Sequence, residues 1–267
     1  MRKRTITSIV LGFMILLSVV SYNICFLVLM TFILISLWEF FDMIEKKGVS
    51  LFRGFGLFLG GIIPASIFYR FPVTVEIQFI FIIVALFLLF ILELTRKKNH
   101  QTILSISATV FGVIYISWCL SFIIRIRGID PQVGNGPWLL AFLIIVTKAS
   151  DIGAYIIGSK FGRRPLLKRV SPNKSLEGSL GGLLASVICG IILNKFIGFC
   201  VWYQAIFISF VLGIIGQLGD LFESLLKRDS GVKDAGTILP GMGGMLDVVD
   251  SVIFTAPVFY FYIIAII

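Results

Sequence analysis

The chain has 267 residues, of which 58% are hydrophobic, and its mean hydropathy is +1.04; soluble domains use roughly 45–50% apolar residues. A soluble core could not hide this many uninterrupted apolar runs, so the membrane is the solvent and the expected fold is an all-α, polytopic integral membrane protein. A formal net charge of +9 would suit nucleic acid, yet no aromatic-interleaved basic patch occurs outside the short loops between apolar runs. No nucleic-acid partner is therefore expected, and the cations read as loops facing an anionic cytoplasmic leaflet.

Met1-Arg2-Lys3-Arg4 heads an apolar run that mimics a secretory signal. No small-x-small cleavage site follows it, and a second run begins within a few residues, which predicts an uncleaved first span. A span needs about 20 apolar residues. Nine candidates follow, at roughly 6–21, 24–42, 51–69, 76–94, 101–123, 137–157, 178–195, 197–218 and 248–266. With nine, the loops on the side of the N-terminus hold Arg2, Lys3, Arg4, Lys46, Lys47, Arg53, Arg96, Lys97, Lys98, Lys160, Arg163, Arg164, Lys168, Arg169, Lys174, Lys227, Arg228 and Lys233. The other side holds only Arg70, Arg125, Arg127 and Lys195. This asymmetry predicts a cytoplasmic N-terminus, an external C-terminus and a multi-pass protein of the cell inner (plasma) membrane.

Residues 1–267 read as one integral domain, with mainly anchoring spans over 1–145 and catalytic spans and cytoplasmic loops over 146–267. Glycines at helical spacing, Gly56 and Gly60, then Gly178, Gly181 and Gly182, suit close helix packing, with a dimer face as the other reading. Cys25, Cys119, Cys189 and Cys200 stand alone in or beside apolar runs and read as packing residues.

Three constellations carry chemistry. Near the end of the sixth span, Lys148 and Asp151 are three apart and share a helix face with Tyr155, either as a self-neutralising pair or as part of a substrate site. Next comes a loop of four cations, Arg163, Arg164, Lys168 and Arg169, then Ser171-Pro172-Asn173-Lys174 and Glu177, opening a glycine-rich helix. Backbone amides at that helix start plus Lys174 would suit a phosphate; the alternative is a positive loop reading lipid headgroups. The third lies in the last sixth of the chain. Asp220, Glu223, Ser224 and Lys227 form one polar stripe, with Arg228 beside it. A glycine-rich loop from Gly231 to Gly244 follows, able to bring backbone amides close to phosphates, and then Asp247 and Asp250 share a helix face. Carboxylates this close to apolar runs are costly and usually serve an ion or a charged substrate. Drawn from two helices, they are suitable hard-oxygen ligands for Mg2+.

At these residues the sequence resembles the phosphatidate cytidylyltransferases (CDP-diacylglycerol synthases). The resemblance rests on Ser224-Leu-Leu-Lys227-Arg228, Lys233-Asp234, Leu239-Pro240-Gly241-Met242-Gly243-Gly244, Leu246-Asp247 and Asp250-Ser251. Upstream, Asp151-x-Gly-Ala-Tyr155 and Ser171-Pro-x-Lys174-x-x-Glu177-Gly178 are similar to the family's pattern. Met242 stands where the family often has His and Val248 where it often has Arg, while Asn173 and Leu176 replace a common Lys and Trp. The resemblance implies transfer of a cytidylyl group from CTP to phosphatidic acid, giving CDP-diacylglycerol and pyrophosphate in phospholipid biosynthesis. It implies Mg2+ on Asp220 and Asp247, with Asp250 as third ligand or behind them, and a monovalent cation such as K+ beside it. Lys174, Lys227, Arg228 and Lys233 would neutralise phosphates, and Glu177 and Glu223 would orient those cations. Asp151, Tyr155, Ser224, Gly243 and Gly244 complete the substrate contacts, and a homodimer is implied. An attacking phosphate is already anionic, with a second pKa of about 6, so no histidine base is needed; the only histidine, His100, lies far from the motifs. Two other classes stay open: an ion-coupled transporter, which would place its acids at mid-span in paired halves, and another lipid phosphotransferase, although no Walker-type lysine loop occurs.

Overall fold

Apolar runs in lipid must satisfy their own backbone groups, which leaves helices or closed barrels; here they become helices. The computed structural model describes residues 2–71, 74–96, 101–130, 135–167 and 169–266, with backbone alone for 2–4 and 75. Lys97, Lys98, His100 and Lys168, and the side chains of Arg2, Lys3 and Arg4, lie outside the described residues.

The helices are α1 (Arg2–Val20), α2 (Tyr22–Glu45), α3 (Arg53–Phe68), α4 (Val75–Leu94), α5 (Thr102–Gly112), α6 (Cys119–Arg127), α7 (Gly136–Phe161), α8 (Leu176–Ile197), α9 (Trp202–Asp229) and α10 (Leu246–Ile266). A π-helical segment, Val113–Trp118, joins α5 to α6 as one continuous rod. Each expected span has a helical counterpart. By length and composition, seven rods among the described residues could cross a membrane; α1 over Thr5–Val20 and α3 are apolar but shorter. The fold is that of an all-α polytopic membrane protein. One addition was not expected: the cationic loop folds into an antiparallel hairpin, β1 (Pro165–Leu167) with β2 (Ser171–Ser175).

The rods alternate between two ends of the bundle. At one end Thr7 of α1 donates to Pro240 O at 3.1 Å, Lys47 pairs with Asp229 at 2.5 Å, and Arg96 donates to Ser50 O at 2.9 Å and Leu51 O at 2.8 Å. At the other end Arg127 donates to Val20 O at 3.1 Å, Tyr262 donates to Gln204 O at 3.2 Å, and Phe142 meets Phe199 edge-on at 4.9 Å. The start of α1 thus shares an end with the hairpin, the end of α9 and the start of α10.

Small residues set the helix spacing. The buried face of α8 reads Gly178, Gly182, Ser186, Gly190, Asn194, one every fourth residue. Gly158 of α7 lies against the Gly178 Cα, and Gly153 against Gly181 O and the Gly182 Cα. Without a hydrophobic force between helices in lipid, such close approach supplies the packing. A single amide then clasps three helices: Gln217 of α9 donates to Ser150 Oγ of α7 at 3.2 Å and to Ser179 O of α8 at 3.0 Å, and accepts from Ser179 Oγ. Near α3, Gly56 leaves room for Phe41 and Gly60 for Leu37, and Ser117 donates to Gly60 O at 2.7 Å. The glycines therefore serve packing, as their spacing predicts.

A Cβ at Gly182 would stand 2.7 Å from both Ser150 O and Gln217 Nε2. Gly182→Leu is expected to overpack this crossing by about 1–3 kcal/mol, lowering the thermal midpoint in detergent. An unchanged midpoint would show that α7 and α8 do not depend on this approach.

Candidate active site

On α9, Asp220, Glu223 and Lys227 stand three and four residues apart and so project from one face. Gly219 lets that face press on α10: a Cβ there would lie 2.7 Å from Asp250 O. As a result, carboxylate oxygens of Asp220, Glu223 and Asp250 gather within 4.8 Å of one another. Glu223 is 0% exposed; Lys227 pairs with one of its oxygens, and Oε1 has no hydrogen-bond partner among the described residues. Three hard anionic oxygen donors, one of them buried with an unmatched atom, suit a hard divalent cation.

Lys227 is 12% exposed on its side chain and also donates to Asp247 Oδ1 at 2.6 Å. The other oxygen of Asp247 accepts from Gly244 N at 2.7 Å and Ala235 N at 3.1 Å, tying both ends of the glycine-rich loop to α10. The structure therefore groups Asp220 and Asp250 with Glu223, a residue the sequence assigned to orienting cations. Asp247, expected as a ligand, stands beside this trio and holds Lys227 and the loop.

A second polar knot adjoins the first. Lys148 Nζ donates to Asp151 Oδ2 at 3.2 Å, Ser251 Oγ at 2.9 Å and Val248 O at 3.2 Å, and Ser251 Oγ donates to Asp151 Oδ2 at 3.2 Å. Ser251 N in turn donates to Asp250 Oδ1 at 2.5 Å. Lys148 thus brings an ammonium onto the carbonyl of Val248, the position where Arg was the expected residue. Tyr155 does not join this knot; it is 77% exposed on the outside of the bundle.

The hairpin contributes Lys174, which pairs with Asp220. Ser175 caps α8, accepting from Gly178 N at 3.1 Å. Glu177 accepts from Arg163 N at 3.0 Å and Arg164 N at 3.2 Å, so it holds the backbone of the cationic loop. Taken as ionised, Asp151, Asp220, Glu223, Asp247 and Asp250 face Lys148, Lys174 and Lys227, a formal excess of two negative charges that matches one divalent cation.

Leu239-Pro240-Gly241-Met242 is a tight turn, with Met242 N donating to Leu239 O at 3.0 Å and Gly241 at φ +82°; Pro then Gly at the central positions is the type II signature. Gly243, at φ +91°, returns its N–H to Leu239 O at 3.2 Å. With the Gly243 and Gly244 amides engaged inside the loop, its outward-facing polar groups include the exposed Lys233 and, at the end of α9, Arg228. Ser224 is half-buried on the same helix end.

Two residues escaped the sequence reading. Glu39 of α2, 3% exposed, accepts from Leu246 N at 2.9 Å at the start of α10, and its carboxylate fills the space that a Cβ at Gly236 or Gly244 would need. A carboxylate inside an apolar span was the available signal. Tyr115, in the π-helical segment, packs its ring on Phe222 at 5.3 Å and Phe254 at 5.4 Å beside the trio, with its hydroxyl buried and unpartnered among the described residues. No pattern in the sequence singles it out.

Glu39→Ala would orphan the Leu246 amide and remove the wall behind Gly236 and Gly244. A loss of about 1–3 kcal/mol is expected, seen as faster protease cleavage within residues 231–244 while the remaining helices stay protected. Cleavage at the parental rate would remove Glu39 from this role.

A model of the cytidylyltransferase family matches residues 2–266. The chain is 32% identical over 263 residues to the phosphatidate cytidylyltransferase of Bacillus subtilis, covering 98% of this chain and 97% of that one. It is also 32% identical over 265 residues to that of Synechocystis, covering 87% and 85%. An uncharacterized Escherichia coli protein, YnbB, is 39% identical over 155 residues, which span 58% of this chain and half of YnbB. The chain belongs to the cytidylyltransferase family.

Proposed function

We propose that the carboxylate trio, its lysines and the glycine-rich loop form the site of a phosphatidate cytidylyltransferase. The chain transfers a cytidylyl group from CTP to phosphatidic acid, giving CDP-diacylglycerol and pyrophosphate, in phospholipid biosynthesis. The observation that carries this reading is the meeting of Asp220, Glu223 and Asp250 with Lys174 and Lys227 at one end of an otherwise apolar bundle. Its support from kinship is the family match and the names of the full-length relatives.

In the reaction, an oxygen of the lipid phosphate attacks the α-phosphorus of CTP, the α–β bridging P–O bond breaks, and pyrophosphate leaves with the electron pair. The attacking oxygen is already ionised near neutral pH, since the second phosphate pKa is about 6; the chain need not remove a proton. Its task is to bring two polyanions together and align them. Lys174 exchanges its carboxylate partner for phosphate oxygens, Lys227 stays between Glu223 and Asp247 and turns its remaining N–H to a phosphate oxygen, and Arg228 and Lys233 meet the nucleotide from the water side. Gly243 and Gly244, lacking side chains, let the loop close on Asp247 and Glu39 and so set the loop surface that a phosphate would meet. Asp151, held by Lys148 and Ser251, fixes Asp250 through the Ser251 amide. Asp220, Glu223 and Asp250 would hold Mg2+, with Asp247 and a monovalent cation such as K+ adjoining. When bound, the metal supplies charge neutralisation at the α-phosphate and on the leaving pyrophosphate.

The same reading gives nine crossings, an N-terminus and site on the cytoplasmic side of the inner membrane, and a homodimer. Its supports are the alternation of all nine rods between the two ends and the excess of Lys and Arg at the site end. CTP then enters from water while the acyl chains stay in lipid.

Purified protein in detergent is expected to release pyrophosphate from CTP only with both phosphatidic acid and Mg2+, and to stop on chelation. Lipid-independent release, or none, would defeat the reading. Asp220→Asn, Asp247→Asn and Asp250→Asn are each expected to lower turnover about a hundredfold or more, with expression and membrane insertion retained. Asp250→Asn at parental turnover would remove the trio from the chemistry. Lys174→Ala is expected to lose about tenfold or more, from one charge-assisted phosphate contact, and Lys174→Arg to regain most of it. Equal rates in both variants would leave Lys174 as a structural partner of Asp220.

A further inference from the structure

The end of the bundle remote from the carboxylates holds a cavity of about 1110 Å³, walled by α3, α4, α6 and α10. Its distance from the site follows from α2, which lends Tyr22 to this cavity and Glu39 to the glycine-rich loop, roughly 25 Å apart along the helix. Pockets of roughly 300–1,000 Å³ already enclose most of a drug-sized ligand, so this one admits a larger amphiphile. Its depth is apolar, with Phe81 and Trp118 among the lining residues, and its rim is cationic. Arg70, Arg125 and Arg127 line it against one carboxylate, Asp130, among the described residues.

The three arginines are not equivalent. Arg127 donates to Ser18 O at 3.4 Å and Val20 O at 3.1 Å and so secures the end of α1. Arg125 is exposed, with its guanidinium 5.7 and 5.9 Å from the rings of Phe122 and Tyr260. Arg70 is held at φ +50°, a left-handed backbone unusual for a residue with a side chain and of the kind that gathers at ligand sites. A planar guanidinium presents a fork matched to phosphate oxygens. In a bilayer, an apolar cavity open to the surroundings fills with acyl chain, and arginine at its rim lies at headgroup depth.

We infer that this cavity binds an anionic phospholipid, with its phosphate on Arg70 and Arg125 and its chains between α3, α4 and α10. The site is separate from the cytidylyl-transfer centre and does not rest on the activity proposed for it. A second copy of the chain is the poorer occupant on charge grounds. Of the 14 acidic residues only Glu76 and Asp130 stand at this end, too few to answer the same arginines on a facing copy.

The test uses the full chain in nanodiscs of phosphatidylcholine with a minor share of phosphatidylglycerol, followed by extraction and native mass spectrometry without CTP. The parent is expected to retain phosphatidylglycerol over phosphatidylcholine, and the Arg70→Gln, Arg125→Gln double variant to retain about thirtyfold less, near fivefold for each cation. Arg125→Gln alone, at an exposed position, gives the single step should the double variant fold poorly. Lys174→Gln serves as a control for lipid held at the other end and should leave retention unchanged, as cytidylyl transfer should stay unchanged in the arginine variants. Equal retention of the two lipids by the parent, or undiminished phosphatidylglycerol in the variants, overturns the inference. A fall in oligomeric mass in the arginine variants also overturns it, since a second copy would then be what covers the cavity.

Discussion

A buried ammonium makes the site end of this protein tenable. Lys227 pairs with Glu223 and Asp247 together, and without it carboxylates from two helices would face one another with no charge between them. Burying an unpaired ion costs several kcal/mol, so α9 and α10 could not present Glu223 and Asp247 to each other unless this cation stood between them. The rest of the arrangement builds outward from that pairing. Asp247 is free to gather the loop amides because its other oxygen is held by Lys227, and Glu223 can face Asp220 and Asp250 because its charge is already partly answered.

The bundle holds this charged pocket in place chiefly through what it lacks. Every fourth residue on one face of α8 is small, Asn194 at its end excepted, so α7 and α9 approach closely and the Gln217 amide reaches both neighbours. Interhelical hydrogen bonds in lipid average about 0.6 kcal/mol, so the clasp fixes rotation about the helix axes more than it adds stability. Rotation matters here, because Asp220 lies three residues beyond Gln217 on the same helix. The amide that sets α9 against α7 and α8 therefore also aims the carboxylate that Lys174 meets from the hairpin.

Much of this was legible in the sequence, for physical reasons. Hydrocarbon runs have few folded outcomes in lipid, so the helical rods could be located, seven of them among the described residues long enough to cross, and acids beside such runs marked the site because they are costly there. The Lys148–Asp151 pair followed from three-residue spacing on a helix, and the close packing from the glycine periods. Partner choice among carboxylates was not legible. Asp220, Glu223, Asp247 and Asp250 carry the same functional group, and only the rotation of α9 against α10 decides which three converge. Tyr155 lies four residues from Asp151, about 400° on and so close to the same face, but one turn further along α7 it stands exposed and outside the polar knot, which spacing alone does not show. Glu39 required a contact across 207 positions of sequence, which no local spacing encodes. The hairpin stayed hidden because its strands are three and five residues long, too short for alternation to register.

The isolation of α4 has its own effect. Its 20 residues give roughly 30 Å of hydrocarbon length, close to the core of an ordinary bilayer, and most of its large side chains face outward. A rod anchored by so little neighbouring protein takes its tilt from the thickness of the surrounding lipid. Because Ile77, Gln78 and Phe81 of this rod form one wall of the distal cavity, a change of bilayer thickness that tilts the rod would change the width of that cavity.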